Sequence, residues 1–140
     1  GLTFDQYEHT PVAGWEKNDA LEFDIPPLDE PGNYQEELGL RVTGAYPFMK
    51  LTLIVETKKW GKADKPSEYT AMVDTVQCDL MDKNGVTKGQ GISSFQYNVP
   101  FAIHKYQAGD SLHVEIRHDM KREILPGISD VGLKMSLLNH

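Results

Sequence analysis

Residues 111–121, SLHVEIRHDMK, gather His113, Glu115, His118 and Asp119 within seven positions. Imidazole and carboxylate groups hold divalent metals and move protons near neutral pH. In an extended chain His113 and Glu115 share the face opposite Leu112, Val114 and Ile116, and His118 falls on the other face. Those first two can therefore coordinate together. A zinc ion needs three or four ligands at about 2.0–2.3 Å, so a third must come from elsewhere, such as His104. The simpler account is an exposed face of alternating charge, with Arg117 and Asp119 alongside, where each cross-strand pair contributes a few tenths of a kcal/mol. No metal or cofactor is assigned on this pattern.

Nucleophiles fare no better. Cys78 is the one cysteine and falls among alternating apolar residues, where a thiol behaves as a small hydrophobe with a raised pKa. One cysteine also precludes an intrachain disulfide. Ser93 and Ser94 lack the strained turn and partner base that activate a hydroxyl. The glycines of GVTKGQG (residues 85–91) imitate a phosphate cradle but lack the strand-to-helix setting that one needs. The chain is expected to be no enzyme.

The elements that must position these residues have a period of two. Leu21, Phe23 and Ile25 alternate with acids; Leu38, Leu40 and Val42 follow, then Leu51, Leu53 and Val55, and Val76, Cys78 and Leu80. Leu112, Val114 and Ile116 repeat the pattern, as do Val131, Leu133, Met135 and Leu137, with a weaker run at Phe95, Tyr97 and Val99. Such runs, about seven or more and closely spaced by Pro, Gly and Asn-Gly turns, predict an all-β, single-domain antiparallel β-sandwich. The pattern leaves jelly-roll and immunoglobulin-like wiring open. Only residues 118–125 offer about one helical turn.

A chain of 140 residues with 39% apolar and 25% charged residues is an ordinary globular domain. Its net charge of -7 argues against nucleic acid as a partner. The absence of an apolar run near 18–20 residues argues against a membrane span. Residues 1–14 lack a period and read as a lead-in; residues 15–140 read as the domain. The opening at Gly1 without Met suggests a removed leader upstream. The long break TKKWGKADKPSEYTA concentrates Lys58, Lys59, Lys62 and Lys65 around Trp60, so an exposed loop is expected there. Trp60, Tyr46 and Tyr97 are the candidate contacts for a partner or a glycan, and Trp15 is assigned to the core. In LPGISDVGLKM (residues 125–135), Pro126 and Gly127 predict a type II turn. Asp130 is expected to accept backbone N–H bonds at the hinge into a last strand, with Gly132 at a bulge or close approach.

Four segments, GWEKNDALEFDI, LGLRVTGAYPFMKLTLIVET, VDTVQCDLMDKNGVTKGQG and HDMKREILPGISDVGLKM, together resemble the gliding motility lipoprotein GldH family of Bacteroidetes. The ending Leu-x-Gly-Ile-x-Asp-Val-Gly is the distinctive part. Lys50 and Ile92-Ser93-Ser94 depart from the family pattern. The resemblance marks Trp15, Arg41, Asp74, Gly91, Gly127, Asp130 and Gly132 as a structural signature. It implies a periplasm-facing lipoprotein of the cell envelope, tethered to the membrane by an N-terminal lipid anchor upstream of Gly1, with residues 1–14 as spacer. The implied role is a non-enzymatic scaffold whose partners are envelope proteins of a gliding or secretion assembly. A carbohydrate-binding module is the alternative.

Overall fold

The computed structural model describes residues 1–138; the last two residues of the expected domain lie outside that range. The described residues form ten strands: β1 (Leu2–His9), β2 (Trp15–Glu16), β3 (Leu21–Ile25), β4 (Gly32–Thr43), β5 (Lys50–Trp60), β6 (Thr70–Asp79), β7 (Ser94–Tyr106), β8 (Ser111–His118), β9 (Ile124–Leu125) and β10 (Ile128–Leu137). No helix occurs among the described residues. The expected helical turn after His118 is instead a bend leading into β9.

Two four-stranded antiparallel sheets, ordered β1-β10-β4-β7 and β3-β8-β5-β6, face each other, and β2 pairs with β9 beside them. The pairing has a simple rule. β1 pairs with β10, β2 with β9, β3 with β8, β4 with β7 and β5 with β6. The chain is thus one long hairpin folded over on itself, and the β10–β4 and β5–β8 ladders close the fold into two sheets. That wiring is a jelly roll, which resolves the choice that the sequence left open.

Alternation decides which side chains meet between the sheets. The first sheet contributes Leu38, Leu40, Val131, Leu133 and Met135 to the core; the second contributes Phe23, Leu51, Leu53, Val55, Val114 and Ile116. Each fully buried side chain of this kind contributes about 1.5–3 kcal/mol of transfer free energy. Trp15 is wholly buried as well, its ring edge-on to His118 at 5.3 Å and its Nε1 donating to the Asp19 carbonyl.

Three expectations change. Residues 2–9, read as a lead-in, form strand β1 along β10. Only Phe4 of that strand's eight residues is buried, so an edge strand that shows the core one side chain carries no alternation. The weak run at Phe95 belongs to a strand that continues to Tyr106, past Pro100. A register shift between Glu36 and Glu37 accommodates this proline, which cannot donate to a ladder. The long break around Trp60 shrinks to residues 61–69, because β5 and β6 stay paired out to Lys59 and Thr70.

Candidate functional site

At the end of the sandwich where β1 and β4 finish and β10 begins, residues 9–14, 43–45 and 126–130 border a groove of about 470 Å³. Pro11, Val12, Ala45 and Pro126 give it an apolar lining, and Val12 projects fully into solvent. Its wall depends on Gly127, which follows Pro126 with φ +84°. A Cβ there would stand 2.6 Å from the Tyr46 Cα, and the Gly127 carbonyl accepts the Thr43 N–H at 2.8 Å. Glycine is required twice over, by dihedral and by space.

Asp130 lies at the rim, just after a bulge in the β10–β4 ladder. The expected backbone N–H partners are not what hold it. Its carboxylate meets His9 Nδ1 and the Ser129 hydroxyl, the latter at 3.0 Å. Thr10 adds a hydroxyl bond to the Ile128 carbonyl. The β1–β10 register sets His9 directly opposite Asp130, which gives the carboxylate a side-chain partner across the ladder. Asp130 therefore fastens β1 to β10 at the groove.

The other signature residues also shape the scaffold. The Arg41 guanidinium lies 4.0 Å from the centre of the Tyr7 ring, and the Gln96 side chain donates to the Tyr7 hydroxyl at 2.8 Å. Gly132 makes room for that ring: a Cβ on it would stand 2.8 Å from Tyr7 carbons. The predicted close approach at Gly132 is thus to a side chain rather than a backbone. Gly91 has φ +138°, and a Cβ would run into the Ser94 carbonyl. Asp74 lies 3.1 Å from His104 Nε2.

That last contact opens a cluster that the sequence reading missed. Glu36 is buried between the sheets, accepts the Tyr106 hydroxyl at 3.1 Å, and faces His104 Nε2 at 3.6 Å. Burial pushes its carboxyl up to about 7, against the opposing pull of His104 and of the tyrosine hydrogen bond. The only hint in the sequence was an acid at an inward position of the run that leads to Leu38.

The proposed contact tyrosines are not at the surface. Tyr46 and Tyr97 keep 3% and 8% of their surface exposed, and their hydroxyls donate to the Lys50 and Leu80 carbonyls. They flank a small pocket of about 250 Å³, but neither presents a ring face for stacking. Trp60 differs. It is half-buried, its Nε1 donates to the Pro66 carbonyl at 2.9 Å, and its ring packs on Tyr69. Beside it an open hollow of about 500 Å³ is bordered by Lys62, Asp64, Gly109 and Ser111.

Among the residues tested for catalysis, Cys78 is buried, and burial pushes its thiol up to about 12. His118 is buried on the inner face; its Nε2–H donates to the Trp15 carbonyl and its Nδ1 accepts the Met120 N–H. Burial lowers its pKa, partly offset by the bond to Trp15. His104 does not join His113: it sits with Glu36 and Asp74. The carboxylate that meets His113 and Glu115 is Glu22, on the neighbouring strand β3.

The family model described as GldH lipoprotein matches residues 2–135. The chain belongs to the GldH lipoprotein family. The match runs from β1 into β10 and so takes in both sheets and the Gly127–Asp130 groove wall. A relative named gliding motility lipoprotein GldH, from Flavobacterium johnsoniae, is 28% identical over 139 residues, which cover 94% of this chain and 82% of that protein. Membership makes this a membrane-anchored lipoprotein of the cell envelope, of the gliding-motility type. Among solved structures, an aminopeptidase from a marine sediment Thaumarchaeota archaeon aligns with a TM-score of 0.43 at 14% identity, over 84% of this chain and 23% of that one. A CocE/NonD family hydrolase from Staphylococcus aureus aligns with a TM-score of 0.45 at 10% identity, over 99% and 33%. The chain spans a third or less of either, and neither likeness bears on its function.

Proposed function

We propose that this GldH-family domain is a non-enzymatic scaffold of a gliding- or secretion-associated assembly, faces the periplasm, and meets an envelope protein through the groove beside Gly127 and Asp130. The observation that carries this reading is the groove itself. It is apolar, it is walled by the family's distinctive ending, and it is braced by a glycine and a carboxylate that leave the wall little freedom. A preformed apolar recess is what a partner side chain or loop needs to bury surface without a large ordering cost. The non-enzymatic reading is supported by the histidines, since His104 and His113 face carboxylates rather than a hydroxyl or thiol nucleophile.

A photo-crosslinking side chain placed at Val12 in cells is expected to capture a discrete envelope protein of the motility or secretion machinery. The same chemistry at Gln77, on the outer face of β6, should not. Equal yields from both positions would sink the assignment. Palmitate labelling of the full-length precursor tests the anchor separately.

The hollow beside Trp60 favours a second reading, carbohydrate binding, because an aromatic ring flanked by Asp64 and Lys62 can offer both stacking and hydrogen bonds. Glycan-array binding that disappears on Trp60→Ala would move the assignment there.

A further inference from the structure

We infer that the outer face of the β3–β8 ladder is a divalent metal site of the zinc class, with His113 Nε2 and carboxylate oxygens of Glu22 and Glu115 as its ligands. The register brings these groups together. Glu22 stands opposite Glu115, Asp24 stands opposite His113, and His113 and Glu115 are two apart on β8 and so share a face. The three ligand atoms all lie within 4.8 Å of one another.

The distances separate a metal site from a cluster of hydrogen bonds. His113 Nε2 is 3.4 Å from Glu22 Oε1 and 3.7 Å from Glu115 Oε1. Both are longer than an N–H···O bond, whose range ends near about 3.2 Å. As ion pairs they leave room for an ion between them: ligands bound at about 2.1 Å around a tetrahedral centre stand about 3.4 Å apart, near both distances. The other ring nitrogen is engaged differently. Nδ1 lies 2.7 Å from Asp24 Oδ1, a true hydrogen bond. With an ion bound, that bond would keep the ring proton on Nδ1 and leave Nε2 to coordinate, the arrangement by which an outer carboxylate orients a metal-binding imidazole.

Charge points the same way. Glu22, Asp24 and Glu115 converge on one imidazole. The nearby Arg117 is 2.7 Å from Glu56, and Lys58, opposite His113 on β5, holds its ammonium over the Tyr69 ring at 4.8 Å. Carboxylates directly opposite each other across a ladder repel, and a bound dication removes the repulsion between Glu22 and Glu115. One nitrogen with two carboxylates selects zinc and its transition-metal neighbours over calcium and magnesium, which take oxygen ligands.

Titration calorimetry of the untagged domain with zinc chloride in a non-chelating buffer at neutral pH tests this. The expected result is one saturable zinc per chain, with no comparable uptake of calcium. His113→Gln should weaken binding at least about tenfold, and Glu115→Gln should do likewise. Asp24→Asn, which touches no ion but frees the ring, should weaken it by about tenfold. All of these side chains lie on the outer face of the sheet, and circular dichroism melts verify that each variant folds; Glu22→Gln is a further reading of the same loss. An isotherm without saturable zinc overturns the inference, and so does an isotherm unchanged in His113→Gln, which would place the ion at His9 or His104.

Discussion

Gly132 is small because Tyr7 occupies the space above it, and this makes a sharp test of the signature. Gly132→Ala should destabilise the domain by about 1–3 kcal/mol through overpacking, read by urea denaturation. Most of that loss should disappear in a Tyr7→Ala background, since the clash is with that ring; equal losses in both backgrounds would refute the account. Two buried titratable residues give opposite pH dependences. The Glu36 carboxyl, raised to about 7 when folded, binds more protons in the folded chain than in the unfolded one across roughly pH 4.5–7. Its contribution is therefore full below that window and is lost as pH rises through it, on the order of 3 kcal/mol at most. His118 has its folded pKa lowered by burial, so its contribution is present above its ordinary value near 6.5 and is lost as pH falls. Wild-type stability should then vary weakly with pH while these two residues oppose each other. Glu36→Gln should leave a domain that loses stability on acidification, and denaturation series from pH 5 to 8 for both chains check this.

Strands facing the core were legible because burial of one face writes itself into every second residue: Leu38, Leu40 and Val42, or Leu112, Val114 and Ile116. β1 was not legible, since its neighbours see it edge-on and only Phe4 reaches inward. The two-residue β2 and β9 are too short to hold any period. The candidate metal site was half legible for a related reason. His113 and Glu115 share a strand and their common face follows from spacing, whereas Glu22 joins them only through the β3–β8 register, which no local pattern specifies. Tyr46 and Tyr97 misled because a tyrosine reads the same whether its hydroxyl reaches solvent or, as here, a backbone carbonyl. β1 also has a protective task. It covers one side of β10, whose apolar run would otherwise present an unpaired edge. Removing residues 1–9 is expected to shift the domain to larger species than the intact chain forms, by light scattering after gel filtration.

The nested pairing dictates how the whole molecule assembles. β1 finds β10 across nearly the full length of the chain, so most contacts that hold the fold are remote in sequence. Loop closure must precede the reward. Stopped-flow refolding followed by tryptophan fluorescence is expected on the millisecond-to-second scale; microsecond refolding would contradict a transition state governed by these ladders. The same pairing brings Gly1 beside Leu137, whose N–H donates to the Gly1 carbonyl at 2.9 Å, at the end of the sandwich opposite the Val12 groove. In an anchored lipoprotein whose partner sits in that groove, a pull between membrane and partner runs along the axis of β1. The rungs from Leu2 to His9 then resist together, in shear, rather than parting one after another as they would if peeled. A strand that contributes a single buried residue to the core thus becomes the mechanical clamp of the domain.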